Sequence, residues 1–168
     1  LLDAGAAVML LILICGFILP ALAWVEWGHP LDGPPVHSFE LRMLVWSALP
    51  SLLLPVLQIG VEIRQNGGSA IRGNRDFFPR STVFGARISR AHANAIASLA
   101  PFAAVVLAAH ATGVSNRWTV AASALYLTAR VTHAVTYAIG VTIIRSSAYY
   151  AGWVATVTIA IASLWIAA

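Results

Sequence analysis

Apolar residues gather in five blocks along the chain, at about 4 to 25, 41 to 63, 91 to 113, 118 to 140 and 148 to 168, and most of the charged residues lie between them. A helix needs roughly 20 apolar residues to cross about 30 Å of hydrocarbon, and each block is about that long. The pattern predicts an all-α integral membrane protein with five spanning helices and no soluble domain. The first block also admits a second reading, since LPALAW at residues 19 to 24 resembles the small-residue cleavage site of a secretory signal. No basic residue precedes that apolar run, which favours a retained helix.

Finer features follow from the residues inside and beside the blocks. Pro50 and Pro55 fall within the second block, where each removes a backbone donor, so a kink is expected there. GGSAIRGNRDFFP reads as turn, and Ser81 or Thr82 then offers an N-cap for a helix that begins well before the third block enters the membrane. RSSAYYAG, from Arg145 on, reads as the turn into the fifth block, which would leave Arg145 at the C-terminal end of the fourth helix.

Composition agrees with the pattern, at 60% hydrophobic and 10% charged residues. The single cysteine, Cys15, lies in the first block, so neither an internal disulfide nor a Cys-pair redox centre can form. All ten cationic residues are arginine, and their distribution orients the chain. The first loop carries Glu26, Asp32 and Glu40 against Arg42, whereas the segment 64 to 90 carries six arginines against Asp76 alone. The basic loop 64 to 90 is therefore expected on the cytoplasmic side. Topology and attraction to anionic lipid or a small anion account for its charge more simply than nucleic acid does.

The fourth block is the anomalous one, because ARVTHAVTYAIG places Arg130, His133 and Tyr137 at i, i+3 and i+7, on one helical face that Tyr126 extends. No Asp or Glu follows Asp76, so Arg130 has no acidic partner on its own or later helices. A charged arginine near mid-bilayer costs from about 3 to more than 10 kcal/mol if it meets lipid, so Arg130 must face inward. Backbone carbonyls, the hydroxyls of Thr128, Thr132 or Thr136, the phenols of Tyr126 or Tyr137, a carboxylate from another subunit, or a bound anion could satisfy it. Arg87, Arg90 and Arg145 are expected to line the cytoplasmic mouth of the same cavity. Such a pocket suits a small polyanion and can stabilise a thiolate. A metal centre is not expected, because His92, His110 and His133 sit at different depths without a second ligand at i+3 or i+4. Ser146 and Ser147 lack the His–acid pair of a hydrolase, and no inverted repeat points to a transporter.

Two stretches, SRAHANAIASLAPF at 89 to 102 and ALYLTARVTHAVTYAIGVTIIRS at 124 to 146, together with the preceding GNRDFFP, resemble the membrane-associated proteins in eicosanoid and glutathione metabolism (MAPEG), above all their bacterial branch. The resemblance covers roughly residues 41 to 168 and implies a four-helix transmembrane domain there, with residues 1 to 40 as an extra N-terminal transmembrane helix and its loop. It also implies a homotrimer in a bacterial inner membrane, with glutathione bound between subunits. By motif, Arg90, His92, Asn94, Arg130, His133 and Tyr137 would hold the tripeptide. Arg145 would stabilise its thiolate, with Ser146 alongside. One position departs from the motif N-x-x-E, whose glutamate takes the ligand's amino group: the residue three after Asn94 is Ala97. Glu62 is a candidate substitute. The function implied is a glutathione-dependent transferase or peroxidase acting on a lipophilic electrophile from the bilayer. The alternative is a non-enzymatic membrane subunit whose cavity binds a lipid or anion, and whose first helix docks a membrane partner.

Overall fold

The computed structural model describes residues 38–68, 72 and 81–166, so the expected first helix, Cys15 and residues 69–71 and 73–80 of the basic loop lie outside the described residues. Four helices follow in order: α1 (Phe39–Asn66), α2 (Val83–Ala111), α3 (Arg117–Ile139) and α4 (Thr142–Ile166). Three of them, α1, α2 and α4, are long and apolar enough to cross a membrane. The exception is α3, whose apolar residues are diluted by Thr, Ser, Tyr, His and Arg.

Each boundary has a local cause. Ser38 caps α1 by accepting from the Leu41 amide at 3.3 Å. Thr82 caps α2 by accepting from the Gly85 amide at 3.2 Å, and Gln65 Nε2 donates to the same hydroxyl at 2.7 Å, joining the end of α1 to the start of α2. Asn116 and Thr119 form a reciprocal capping box at the head of α3. Both Pro50 and Pro55 lie inside α1, which continues through them as one helix, and Pro101 lies inside α2 in the same way.

Small side chains set the packing. Within lipid, helices associate through close van der Waals contact rather than through exclusion of water, and small residues permit that contact. Ala91, Ala109, Ala122, Ala129, Ala134, Ala138, Ala148 and Ala155 are all buried. Helix α3 touches each of the other three and packs most extensively on α4. Larger residues fill the remaining space. The rings of Phe102 and Tyr126 stack with centroids 3.6 Å apart and planes 4° from parallel, beside Val106 and Ile159. Trp153, Trp165, Ile143 and Leu164 face outward, where lipid or a neighbouring protein would meet them.

The connection from α3 to α4 is very short because Gly140 takes φ 87°, ψ 20° and turns the chain in a left-handed conformation. Its missing side chain also makes room for the Arg87 guanidinium, which an added Cβ would meet at 2.6 to 2.8 Å. Arg87 thus lies at the carbonyl-rich end of α3, where the helix dipole favours a cation. Gly140→Ala is expected to destabilise the bundle by more than about 1 kcal/mol, through left-handed strain together with displacement of Arg87. Thermal unfolding in detergent measures this. An unchanged midpoint would mean that the turn tolerates a side chain.

Candidate functional site

Arg130 projects from α3 into a cavity of about 320 Å³ between α2, α3 and α4. The residue is 6% exposed. One nitrogen donates to the Tyr149 carbonyl at 2.8 Å, and the guanidinium carbon lies 5.3 Å and 5.4 Å from the ring centroids of Tyr126 and Tyr149, within cation–π range. Nε and the second terminal nitrogen are buried without a partner. The threonines do not supply one: Thr128 donates to the Ala124 and Leu125 carbonyls, and Thr136 to those of Thr132 and His133. Tyr126 gives its proton to Ser98 Oγ at 3.3 Å. A cation with unused, buried donors therefore borders the cavity.

Gly152 makes that placement possible. A Cβ there would collide with the guanidinium of Arg130, so α4 presents bare backbone where α3 presents its longest side chain. The rest of the wall comes from Asn94, Ala97, Ser98 and Pro101 on α2 and from Trp153 and Thr156 on α4. Asn94 Nδ2 donates to the Arg90 carbonyl at 3.0 Å, which leaves its oxygen as an acceptor. Proline has no N–H to return to the carbonyl four residues earlier, so Pro101 frees the Ala97 carbonyl on this wall. The cavity therefore joins a cation on α3 to acceptors on α2.

A second cluster adjoins the first through Tyr149. His133 is buried, and its ring lies 5.9 Å from that of Tyr149 and 5.5 Å from that of Tyr137. Its Nδ1 is 3.0 Å from the Arg145 carbonyl. A carbonyl can only accept, so Nδ1 carries the proton and, in the neutral ring, the buried, unpartnered Nε2 is an acceptor. The Arg145 guanidinium rests 4.7 Å from the centre of the Tyr137 ring.

Several expectations need correction. Arg145 does not end the fourth helix. It lies in the first turn of α4, which already begins at Thr142, because Gly140 completes the turn in so few residues. The dipole at Arg145 is thus the positive one, and helix end and guanidinium both favour an anion nearby. Nor do Arg87, Arg90 and Arg145 share the cavity of Arg130. Arg87 is drawn to the end of α3, Arg145 lies over Tyr137, and Arg90 is exposed on α2. Glu62 is buried, accepts from Gln58 Nε2 at 3.0 Å and does not line the cavity.

Of the candidate residues, Asn94 and Arg130 come together at the cavity, and His133, Tyr137 and Arg145 form the adjoining cluster. His92 is half-buried outside both groups, and Ser146 is exposed, with its hydroxyl donating to the Thr142 carbonyl at 3.0 Å. Tyr149, Gly152 and Thr156 escaped the sequence reading, although they follow Arg145 at i+4, i+7 and i+11 and so share one face of α4. Among the described residues, no three His, Cys, Asp or Glu gather to hold a metal.

The family model of MAPEG matches residues 43–165, which takes in α2 and α3 whole, nearly all of α1 and α4, and both clusters. The chain belongs to the MAPEG family. This accounts for the all-helical architecture and for an integral membrane location, since three apolar helices of spanning length occur in the matched region. Comparison with curated proteins and with solved structures gives no match. Within this MAPEG chain, Ala97 and the buried Arg130 line one cavity.

Proposed function

We propose that this protein is a membrane-bound, glutathione-dependent transferase, or a peroxidase of the same design, that activates a thiol for attack on a lipophilic electrophile. The observation that carries the reading is Arg130, buried at the edge of the cavity with nitrogens that nothing among the described residues satisfies. Glutathione offers carboxylates, an ammonium group and a thiol. A carboxylate matches Arg130, through charge-assisted hydrogen bonds. The ammonium matches the acceptors of Asn94 and the Ala97 carbonyl, which would stand in for the absent glutamate. Tyr149 and His133 connect that cavity to Arg145, where a guanidinium and the start of α4 would stabilise the thiolate.

In the reaction, the thiol proton leaves to solvent, and the sulfur lone pair forms a bond to carbon of the electrophile as the leaving group departs with its electrons. For a hydroperoxide the sulfur would attack the terminal oxygen as the O–O bond breaks to release the alcohol, and a second thiol would then displace that oxygen from sulfur as water, leaving the disulfide. Ser146 has given its proton to its own helix, so it can act here only as an acceptor. Ala97, Pro101 and Trp153 are exposed at the cavity rim, a position that a neighbouring protomer of a homotrimer would close and that a lipophilic substrate could reach from the bilayer.

The test is thiolate absorbance in the ultraviolet. Glutathione added to the purified protein is expected to raise it near neutral pH, and Arg145→Ala should abolish the rise. No rise in the parent protein at millimolar thiol would sink the reading. A second reading, a non-enzymatic subunit that binds an anion or lipid, is favoured by the missing carboxylate at Ala97. Glutathione retained by equilibrium dialysis without any thiolate signal would support it.

A further inference from the structure

The opposite end of the bundle holds a buried charge of the other sign. Glu40, in the first turn of α1, is 3% exposed. Its Oε1 accepts from Ser115 Oγ at 2.9 Å and from Thr119 Oγ1, while Oε2 is buried with no partner. Thr119 precedes Arg130 by three helical turns on α3, about 16 Å along the axis, so this group lies well away from the proposed thiol site.

Glu40 borders a cavity of about 40 Å³, lined also by Ser38 and Ser115 and by Ala109, His110 and Gly113 at the end of α2. The polar groups around it are mainly acceptors. The Ala109 carbonyl is filled by the Val114 amide at 2.8 Å and Thr112 Oγ1 at 3.1 Å, whereas the His110 carbonyl receives only the Gly113 amide at 3.1 Å among the described residues and keeps a second lone pair. These carbonyls form the negative end of the α2 dipole. Among the described residues, no Arg or Lys lines the cavity. A buried carboxylate oxygen, a serine hydroxyl and the carbonyl end of a helix thus surround a space for one small guest.

We propose that this pocket is a binding site for a monovalent hard cation of sodium size. Charge balance selects the valence: one positive charge neutralises Glu40, whereas a divalent ion would leave an excess charge at the end of an apolar bundle. Oxygen donors select an alkali ion over a soft transition metal. The small cavity selects a desolvated ion over a hydrated one. Because Glu40 belongs to α1, His110 to α2, Ser115 to the connecting turn and Thr119 to α3, the bound ion ties three helices together at this end.

The experiment is a thermal unfolding titration of the full chain in detergent, with NaCl against choline chloride at constant ionic strength and pH. Sodium is expected to raise the midpoint saturably, by about 5 °C at concentrations well above its dissociation constant. Glu40→Gln retains an oxygen to accept from Ser115 and Thr119 but removes the charge, and should eliminate the sodium dependence. Should that variant not fold, Ser115→Ala is expected to raise the half-saturating sodium concentration about tenfold, as loss of one interaction near 1.4 kcal/mol would. Equal midpoints in sodium and choline would show that the cavity holds only water. That outcome would overturn the proposal, as would an unchanged sodium response in the variants.

Discussion

Gly152→Val is expected to lower the thermal midpoint of the protein in detergent by several degrees and to remove anion binding at Arg130. The Cβ alone would lie within 2.7 Å of the Arg130 guanidinium carbon, and valine adds two methyl groups beyond it. Either α4 moves away from α3, at the most extensive helix contact in the bundle, or Arg130 swings into the cavity and occupies the space meant for a ligand. Overpacking of this kind costs about 1 to 3 kcal/mol. The same substitution in an Arg130→Ala background should cost much less, because the guanidinium no longer lies in the way. That non-additivity, measured as a double-mutant cycle, identifies direct contact. Equal penalties in both backgrounds would refute the proposed packing.

The second large effect is expected from Arg130→Met, with opposite signs for binding and stability. Truncating the charged partner of a desolvated carboxylate costs about 2 to 5 kcal/mol, so glutathione affinity should fall by at least 30-fold, or about 2 kcal/mol. Stability without ligand should hold or rise, because a buried cation with unsatisfied nitrogens is replaced by a side chain of similar length that requires no partner. Isothermal titration and thermal unfolding of the same preparations separate the two. A variant that unfolds while the parent binds no thiol would make Arg130 a structural strut, held in place by the Tyr149 carbonyl and two aromatic rings.

Much of this arrangement is legible in the sequence. The apolar blocks predicted all four described helices, and Thr82 was among the two expected caps of α2. The inward orientation of Arg130 followed from the cost of a charge in lipid. What escaped is equally physical. The polar run Arg145-Ser146-Ser147 reads as a turn, yet it lies within α4, because one left-handed glycine completes the reversal first. Net charge predicted one basic pocket, but a helix end claimed Arg87 and an aromatic face claimed Arg145. Gly152 carries no side chain to draw notice, and its role appears only when the opposing helix is in place. Glu40 and Thr119 lie 79 residues apart, too distant for any local pattern to pair them.

The brevity of the Gly140 reversal bears on how the polypeptide enters its membrane. Helix α3 is not among the helices apolar enough to span on their own account, whereas α4 is one of them and follows almost at once. The two are therefore expected to enter the lipid as one hairpin, with α4 carrying its more polar neighbour. A nascent chain halted before α4 emerges would leave α3, and the arginine within it, stranded in water.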